Sequence, residues 1–285
     1  MDYEQIIYDV EDRVAIITLN RPEALNAWTP VMMNEVLDAL DRADEDDDVR
    51  VLIFTGAGRA YCAGADLSAG GFRGPDDLQG QPAFRDSAGQ VTLRMYNMKK
   101  PVIGAINGNA VGVGITMTMT MDIRIASEAA KKIGFVFNRR GVVPEGCCTY
   151  FLPRIIGISK AAELILTGRF FDAEEGLKMG LFSQVVSPEE LMPTALKIAH
   201  EIADTTSAVS TALARQLLWK MLGEVEPMNT HILESKGFGY MLGGEDVKEG
   251  VNSFMEKRPP RFAMKPSVDM PDFYPWWTEK PFSGK

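Results

Sequence analysis

The order of hydrophobic patterns along the chain constrains its fold more than any single motif does. In the first half, short runs rich in β-branched residues alternate with segments whose apolar residues recur at helical spacing. From Thr149 onward, helical patterns follow one another up to Glu256. Alternation of strands and helices followed by a run of helices predicts an α/β fold, with a mainly parallel layered core and a helical C-terminal region.

The individual elements follow from the same patterns. Ile115–Met121 is open to two interpretations, because its alternating Met and Thr also suit a strand, but the glycine-rich turn before it favours a helix. Ser187 and Glu190 have the spacing of a capping box. Strands are predicted over Tyr3–Asp9, Arg13–Leu19, Val51–Thr55, Val102–Asn107, Asp122–Ser127 and Ile133–Phe137. Helices are predicted over Met32–Ala43, Val91–Lys100, Ile115–Met121, Thr149–Ile156, Ser159–Thr167, Asp172–Gly180, Pro188–Ala203, Val209–Leu222, Met228–Met241 and Asp246–Glu256.

Two segments lack regular periodicity. Ser68–Gln90 is rich in Gly, Pro, Asp and Gln, which predicts a surface loop of functional importance. The tail from Pro259 is rich in Pro and aromatic residues, among them Trp276 and Trp277. Two adjacent tryptophans are poorly suited to water, so we expect them to pack on this subunit or on a neighbouring one.

Charge and composition exclude several functional classes. The net charge of −9 argues against nucleic acid as a partner, because a phosphate backbone requires a basic surface. The three cysteines, two of them adjacent, suggest no disulfide framework. The opening residues carry charge where a signal peptide would be apolar, and no apolar run reaches membrane-spanning length, so we expect a cytoplasmic protein without a membrane partner. His200 and His231 lack neighbours at metal-ligand spacing, so no metal is expected.

Two turns of small residues follow apolar strands. The first is Ala63–Asp66 and the second is Gly112–Gly114. Small residues let a ligand approach the backbone closely, and two converging N–H groups would form an oxyanion hole. Taken alone this pattern is weak evidence, since glycine turns between strands and helices are common.

Six segments together resemble the enoyl-CoA hydratase/isomerase (crotonase) superfamily. They keep the family's order over roughly residues 3–263, and they are Leu19–Ala27, Gly58–Leu67, Pro101–Gly114, Met121–Ala126, Pro144–Gly157 and Glu249–Arg258. The resemblance implies a crotonase-like spiral of ββα units, followed by helices that mediate assembly into a homotrimer or a dimer of trimers. It divides the chain into a spiral core with the CoA site (1–200), a C-terminal helical region (201–263) and a tail (264–285).

The resemblance also implies the positions of the site residues. The substrate would be an acyl-CoA thioester, and no cofactor would be needed because CoA is part of the substrate. The oxyanion-hole amides would be those of Ala65 and Val113. Asp66 would organise its turn as a structural residue. The CoA and substrate contacts would come from Ala24, Leu25, Ala63, Asp66, Leu67 and Gly112, and from Phe254 and Lys257, which in the family often reach CoA across a subunit boundary.

The departures from the family pattern decide the expected reaction. The positions of the two hydratase glutamates correspond to Thr116 and, within one residue, Phe137. Glu145 instead stands in a Pro-Glu-Gly-Cys turn that resembles the monofunctional Δ3,Δ2-enoyl-CoA isomerases. Hydration calls for two positioned groups, whereas one carboxylate can move a proton from C2 to C4. The sequence therefore favours an isomerase with Glu145 as its catalytic acid and base.

Three alternatives remain open at this stage. The chain could be an enoyl-CoA hydratase that uses Glu145 alone or with a water molecule. It could hydrolyse an acyl-CoA or cleave one of its C–C bonds, since one fold supports several chemistries. It could also bind acyl-CoA without catalysis, an interpretation favoured by the two missing glutamates and opposed by Glu145.

Overall fold

Two sheets, wound in parallel along the chain, form the core of the computed structural model, which describes residues 3–68 and 84–282. The strands of the larger sheet are β1 (Ile6–Glu11), β2 (Val14–Leu19), β3 (Val51–Gly56), β5 (Val102–Ile106), β7 (Ile123–Ser127) and β9 (Gln184–Val186). They lie side by side in this order, and among the described strands of this sheet only β1 and β2 pair in antiparallel fashion.

The smaller sheet repeats alongside the larger one. It contains β4 (Ala60–Cys62), β6 (Asn109–Val111) and β8 (Ile133–Gly134), all parallel. Each of β3, β5 and β7 in the large sheet is followed directly by a strand of the small sheet. The chain therefore advances as a spiral in which each turn adds one strand to both sheets.

Helices cover the sheets and continue beyond them. They are α1 (Pro30–Glu45), α2 (Ser87–Asn97), α3 (Val113–Thr116), α4 (Cys148–Ile156), α5 (Ile158–Thr167), α6 (Ala173–Met179), α7 (Leu191–Thr205), α8 (Ala208–Met221), α9 (Pro227–Leu242) and α10 (Glu245–Glu256). Within the described residues, no helix combines the length and apolarity that crossing a membrane requires.

Strand β3 shows why the large sheet is buried on both faces. Leu52 and Phe54 point into the main core, while Val51 and Ile53 point to the opposite face. There α7 covers the sheet with a row of small side chains, including Ala195. Successive strand residues face opposite sides, so a continuously apolar strand needs a layer on each side.

Most predicted elements are present, with shifted ends, but some sequence predictions are wrong. The strand predicted over Ile133–Phe137 ends at Gly134, and Phe137 begins a 3-10 turn. Ser187 does not cap α7 with its side chain, because a 3-10 turn over Pro188–Glu190 delays the helix to Leu191. The sequence patterns also gave no strand at β4 or β6, which are only three residues long.

The segment Ile115–Met121 is helical, as favoured, but irregular: α3 passes into a 3-10 helix at Met117. Most of the loop predicted over Ser68–Gln90 lies outside the described residues. Its last part is wrong, because α2 begins at Ser87. The side chain of Asp86 caps this helix by accepting a hydrogen bond from the amide of Gly89, which the apolar pattern did not reveal.

The C-terminal tail packs against this same subunit. Trp276 and Trp277 are half-buried and meet edge to face, and the ammonium group of Lys220 lies 4.0 Å from the ring centre of Trp277. Asn97, at the end of α2, donates a 2.7 Å hydrogen bond to Glu279. The tail is thus fixed along α2, in agreement with the expectation that the tryptophans do not remain in water.

Candidate functional site

Parallel pairing of β4 and β6 brings the two small-residue turns together. Cys62 stands opposite Ala110 in the register, and Ala65 and Val113 each follow three residues later. Gly64 and Gly112 have positive φ angles of 99° and 55°, and a Cβ on Gly112 would lie 3.9 Å from the Cα of Gly64. Both backbones therefore approach each other at conformations that favour glycine.

The amides of Ala65 and Val113 remain available for a ligand. Their neighbours are engaged: the amide of Asp66 donates to Trp28 and that of Thr116 donates to Gly112. Within the described part of the chain, the amides of Ala65 and Val113 donate to no backbone or side-chain acceptor. Two free amides on adjoining turns have the properties of an oxyanion hole.

Glu145 contacts Thr116, which lies one helical turn after Val113. Thr116, fully buried in α3, donates a 2.6 Å hydrogen bond to Oε1 of Glu145. Burial raises the pKa of Glu145 to about 7, an effect that the Thr116 hydroxyl opposes and that the nearby Asp86 carboxylate strengthens. A carboxyl group with this pKa is well matched to giving and taking protons near neutral pH.

Asp86 is the site residue that the sequence did not identify. Its charge acts on Glu145, and its Oδ1 accepts hydrogen bonds from the amides of Gly89 (2.5 Å) and of Gly146, the residue after Glu145 (3.0 Å). Asp86 thus joins the start of α2 to the turn that carries Glu145. The available signal was an Asp three residues before a glycine and just ahead of an apolar helical pattern, which is an N-cap position.

The two positions of the missing hydratase glutamates have different surroundings. Thr116 contacts Glu145 directly, as described above. Phe137 is 7% exposed and packs in the main core at the start of a 3-10 turn. The structure therefore brings one of the two positions into contact with Glu145, while the other is occupied by an apolar ring.

A pocket at the open side of the small sheet gathers part of the expected CoA contacts. Leu25 and Ala63 line it, as the resemblance implied, together with two cations, Arg59 and Lys132, and the ring of Phe170. No sequence pattern pointed to either cation. Cations beside apolar walls suit a ligand that carries both phosphates and a flat ring.

Asn26 explains why the segment before this pocket has its conformation. The side chain is buried and donates to the carbonyls of Ala57 and Ala60, at 2.9 and 2.8 Å, while it accepts from the amide of Arg21. The turn that carries Ala24 and Leu25 is therefore fixed to β4.

Asp66 forms a local network. It accepts a 2.9 Å hydrogen bond from Arg21 and further bonds from Ser68. The bonds from Ser68 and then from Arg21 lower the pKa of Asp66 to about 2. This geometry suits an anion that orders its turn. The adjacent Leu67 is exposed at the surface.

The remaining two expected contacts lie at the end of α10. Phe254 is 80% exposed, and Lys257 ends the helix in the left-handed conformation. Neither is among the described residues that line the pocket. Val251 and Met255 are exposed on the same face of α10, and an apolar patch of this kind is typical of a surface that another molecule covers.

Comparison with known proteins identifies the family. The family model described as enoyl-CoA hydratase/isomerase matches residues 9–265. The chain belongs to this family. It is an enzyme that acts on an acyl-CoA thioester, and the crotonase-like fold expected from the sequence is confirmed by the solved structures that it resembles.

Several relatives have informative names. The chain is 43% identical to an enoyl-CoA hydratase of Alternaria alternata, over 88% of this chain and 83% of the relative. It is 34% identical to the 1,2-epoxyphenylacetyl-CoA isomerase of Escherichia coli K12, over 92% and 99%. Among solved structures, a probable enoyl-CoA hydratase/isomerase from Mycobacterium abscessus matches with a TM-score of 0.84 and 33% identity, over 90% of this chain and 98% of that one.

Proposed function

We propose that this enzyme hydrates a 2-enoyl-CoA, with Glu145 as the group that delivers a proton to C2. The observation that carries the proposal is the contact of Glu145, a carboxyl group with a pKa of about 7, with Thr116, which lies one helical turn after the free amide of Val113. Because the group is partly protonated at neutral pH, it is suited to protonating an enolate. The name of the Alternaria relative supports hydration over the isomerisation that the sequence favoured.

The sequence argued against hydration because it offered one acid, Glu145, where hydration calls for two positioned groups. Thr116 and Phe137 replace both hydratase glutamates, yet the structure brings a second carboxyl group, that of Asp86, to Glu145 from a distant part of the chain. Asp86 acts on Glu145 and not on the substrate: its charge favours the protonated form of Glu145, which can then deliver a proton to C2 and take one from water.

The proposed reaction balances within this pair. Water attacks C3 and the thioester oxygen takes up the electron pair as an enolate, held by the amides of Ala65 and Val113. Glu145 gives its proton to C2, and the proton lost by water returns to the carboxyl pair. An oxyanion-hole donor typically contributes about 2.7–4 kcal/mol to transition-state stabilisation, so the two amides would supply a large part of the catalysis.

Isomerisation of a 3-enoyl-CoA is the second candidate function. It is favoured by the Pro144–Gly146 turn and by the Escherichia coli relative, whose name is that of an isomerase. In that reaction Glu145 would take a proton from C2 and return it to C4, and the intermediate would be a dienolate bound by the same two amides. The two reactions share every residue and differ in whether water enters.

Turnover of crotonyl-CoA and of a 3-enoyl-CoA by the same preparation tests the proposal. We expect faster turnover of crotonyl-CoA to the 3-hydroxy product. Faster turnover of the 3-enoyl-CoA would replace hydration by isomerisation, and turnover of neither would contradict both.

Glu145→Gln keeps the shape of the side chain and should lower the observed rate by about 10²–10⁴-fold, the usual contribution of a general acid or base. Glu174→Gln, at an exposed position in the first turn of α6, is the matched control and should retain full activity. Near wild-type turnover by Glu145→Gln would show that another group moves the proton.

A further inference from the structure

We propose that Asp86 is a positioning residue. The carboxyl groups of Asp86 and Glu145 share one proton, and Asp86 keeps that proton on Glu145. The inference rests on the proposed function, in which Glu145 is the proton donor. It assigns to Asp86 the control of when that donor is charged.

The hydrogen bonds of Asp86 hold its carboxyl group in place. Two backbone amides, those of Gly89 and Gly146, converge on its Oδ1 at 2.5 and 3.0 Å. Amides only donate, so Oδ1 acts as the acceptor of both bonds, and a proton on this carboxyl group could sit only on Oδ2. The N-terminus of the eleven-residue helix α2 adds a further preference for negative charge at this position.

Glu145 has a more adaptable partner. The hydroxyl of Thr116 lies 2.6 Å from Oε1 of Glu145 and 3.5 Å from the carbonyl oxygen of Val113. A hydroxyl can donate or accept. When Glu145 is protonated it can donate to Thr116, which then donates to Val113, and when Glu145 is ionised Thr116 can donate to it. The Glu145 side of the pair therefore accommodates both protonation states.

In the part of the chain that the structure describes, three thiols also interact with Glu145. They belong to Cys62, Cys147 and Cys148, and burial raises the pKa of each, which keeps them neutral. Arg85 precedes Asp86 and acts on Cys147. Burial is the largest cause of the raised pKa of Glu145, and the charge of Asp86 acts in the same direction.

Asp86→Asn tests the proposal with little change of shape. Asn keeps an oxygen for the two amides and is itself a good helix cap, so α2 should stay intact. Without the negative charge, the titration midpoint of Glu145 should fall by about one pH unit or more. The midpoint is measured by carbon NMR of protein labelled at the glutamate carboxyl groups, with Glu145→Gln used to assign the signal.

Asp172→Asn is the matched control. Asp172 caps α6 in the same way, with a 2.9 Å bond from the amide of Glu175, but belongs to a different helix. It should leave the Glu145 midpoint unchanged. Asp86→Ser, which also caps a helix without charge, is a second variant for use if Asp86→Asn does not fold.

The NMR readout separates this inference from the proposed function. An unchanged midpoint in a folded Asp86→Asn protein would overturn the role of Asp86, whatever reaction the enzyme catalyses. A wild type that turns over neither substrate would overturn the proposed function, while a lowered midpoint would still support the coupling. If both hold, the pH–rate profile of Asp86→Asn should shift to lower pH by the same amount as the midpoint.

Discussion

Thr116 donates a 2.6 Å hydrogen bond to Glu145 from the helix whose first amide, that of Val113, is free. Thr116, which the resemblance places at the position of a hydratase glutamate, thus binds the side chain of Glu145. This contact links the proton-transferring group to one of the two amides through four residues of α3, so that their spacing is set by a single helical turn.

Replacement of Thr116 by Val should have a small effect on rate and a measurable effect on titration. The hydroxyl lowers the pKa of Glu145, so its loss should raise that pKa further above 7. We expect the pH–rate profile to move to higher pH and the maximal rate to change less than in Glu145→Gln. A loss of activity as large as that of Glu145→Gln would mean that Thr116 itself takes part in the reaction.

The stability of the folded chain should depend on the charge of Glu145. Its folded-state pKa is about 7, whereas an unfolded glutamate titrates near 4.5. Between these values the folded state binds more protons, so stability falls as pH rises from about 4.5 to 7. This difference in pKa corresponds to about 3 kcal/mol in the free energy of unfolding.

Glu145→Gln should therefore be more stable than the wild type at pH 8, and this advantage should shrink towards pH 5. Urea unfolding at the two pH values measures it, with Glu174→Gln as the control. A constant difference between wild type and Glu145→Gln across this range would show that the pKa of Glu145 is not raised.

Lys132 should contribute to CoA binding. It lines the same pocket as Leu25 and Ala63. Lys131, at the preceding position, serves as the control, because it is exposed and does not line the pocket. Lys132→Ala should raise KM for the CoA thioester about tenfold with little change in kcat, since a contact remote from the reacting carbons is mostly uniform binding. An unchanged KM, or an equal effect of Lys131→Ala, would remove Lys132 from the site.

The exposed apolar surface of α9 and α10 should be buried in a homotrimer or a dimer of trimers. Phe238, Val251, Phe254 and Met255 are 57–80% exposed, which is unusual for a free monomer. Light scattering should give three or six times the subunit mass, and Phe254→Asp should reduce it. If Lys257 reaches CoA across such an interface, Lys257→Ala should raise KM without changing the mass. A stable monomer at micromolar concentration would contradict this expectation.

The sequence was sufficient for the parts of the site that depend on local structure. Gly64 and Gly112 are required by the conformation of their turns, and Glu145 is conspicuous because no acid precedes it as far back as Ala129. Asp86 could not be found in this way. It reaches Glu145 across 59 residues of chain, through packing of the α2 N-terminus on the Glu145 turn, and no periodicity encodes that contact.

The wrong predictions of secondary structure have a related cause. Ile133–Phe137 has the composition of a strand, but pairing with β6 ends at Gly134, after which Phe137 turns its ring into the core. Strands β4 and β6 pair with each other and have only three residues each, which carry too little pattern to be recognised.

The contact between Asn97 and Glu279 joins positions 182 residues apart. Contacts that close so long a loop form late, after the local structure between them. During synthesis the tail follows the spiral, so we expect it to pack on α2 after the core has formed. Ala88, Val91 and Met95 already hold α2 in that core, so the tail adds its restraint to a helix whose packing does not depend on it.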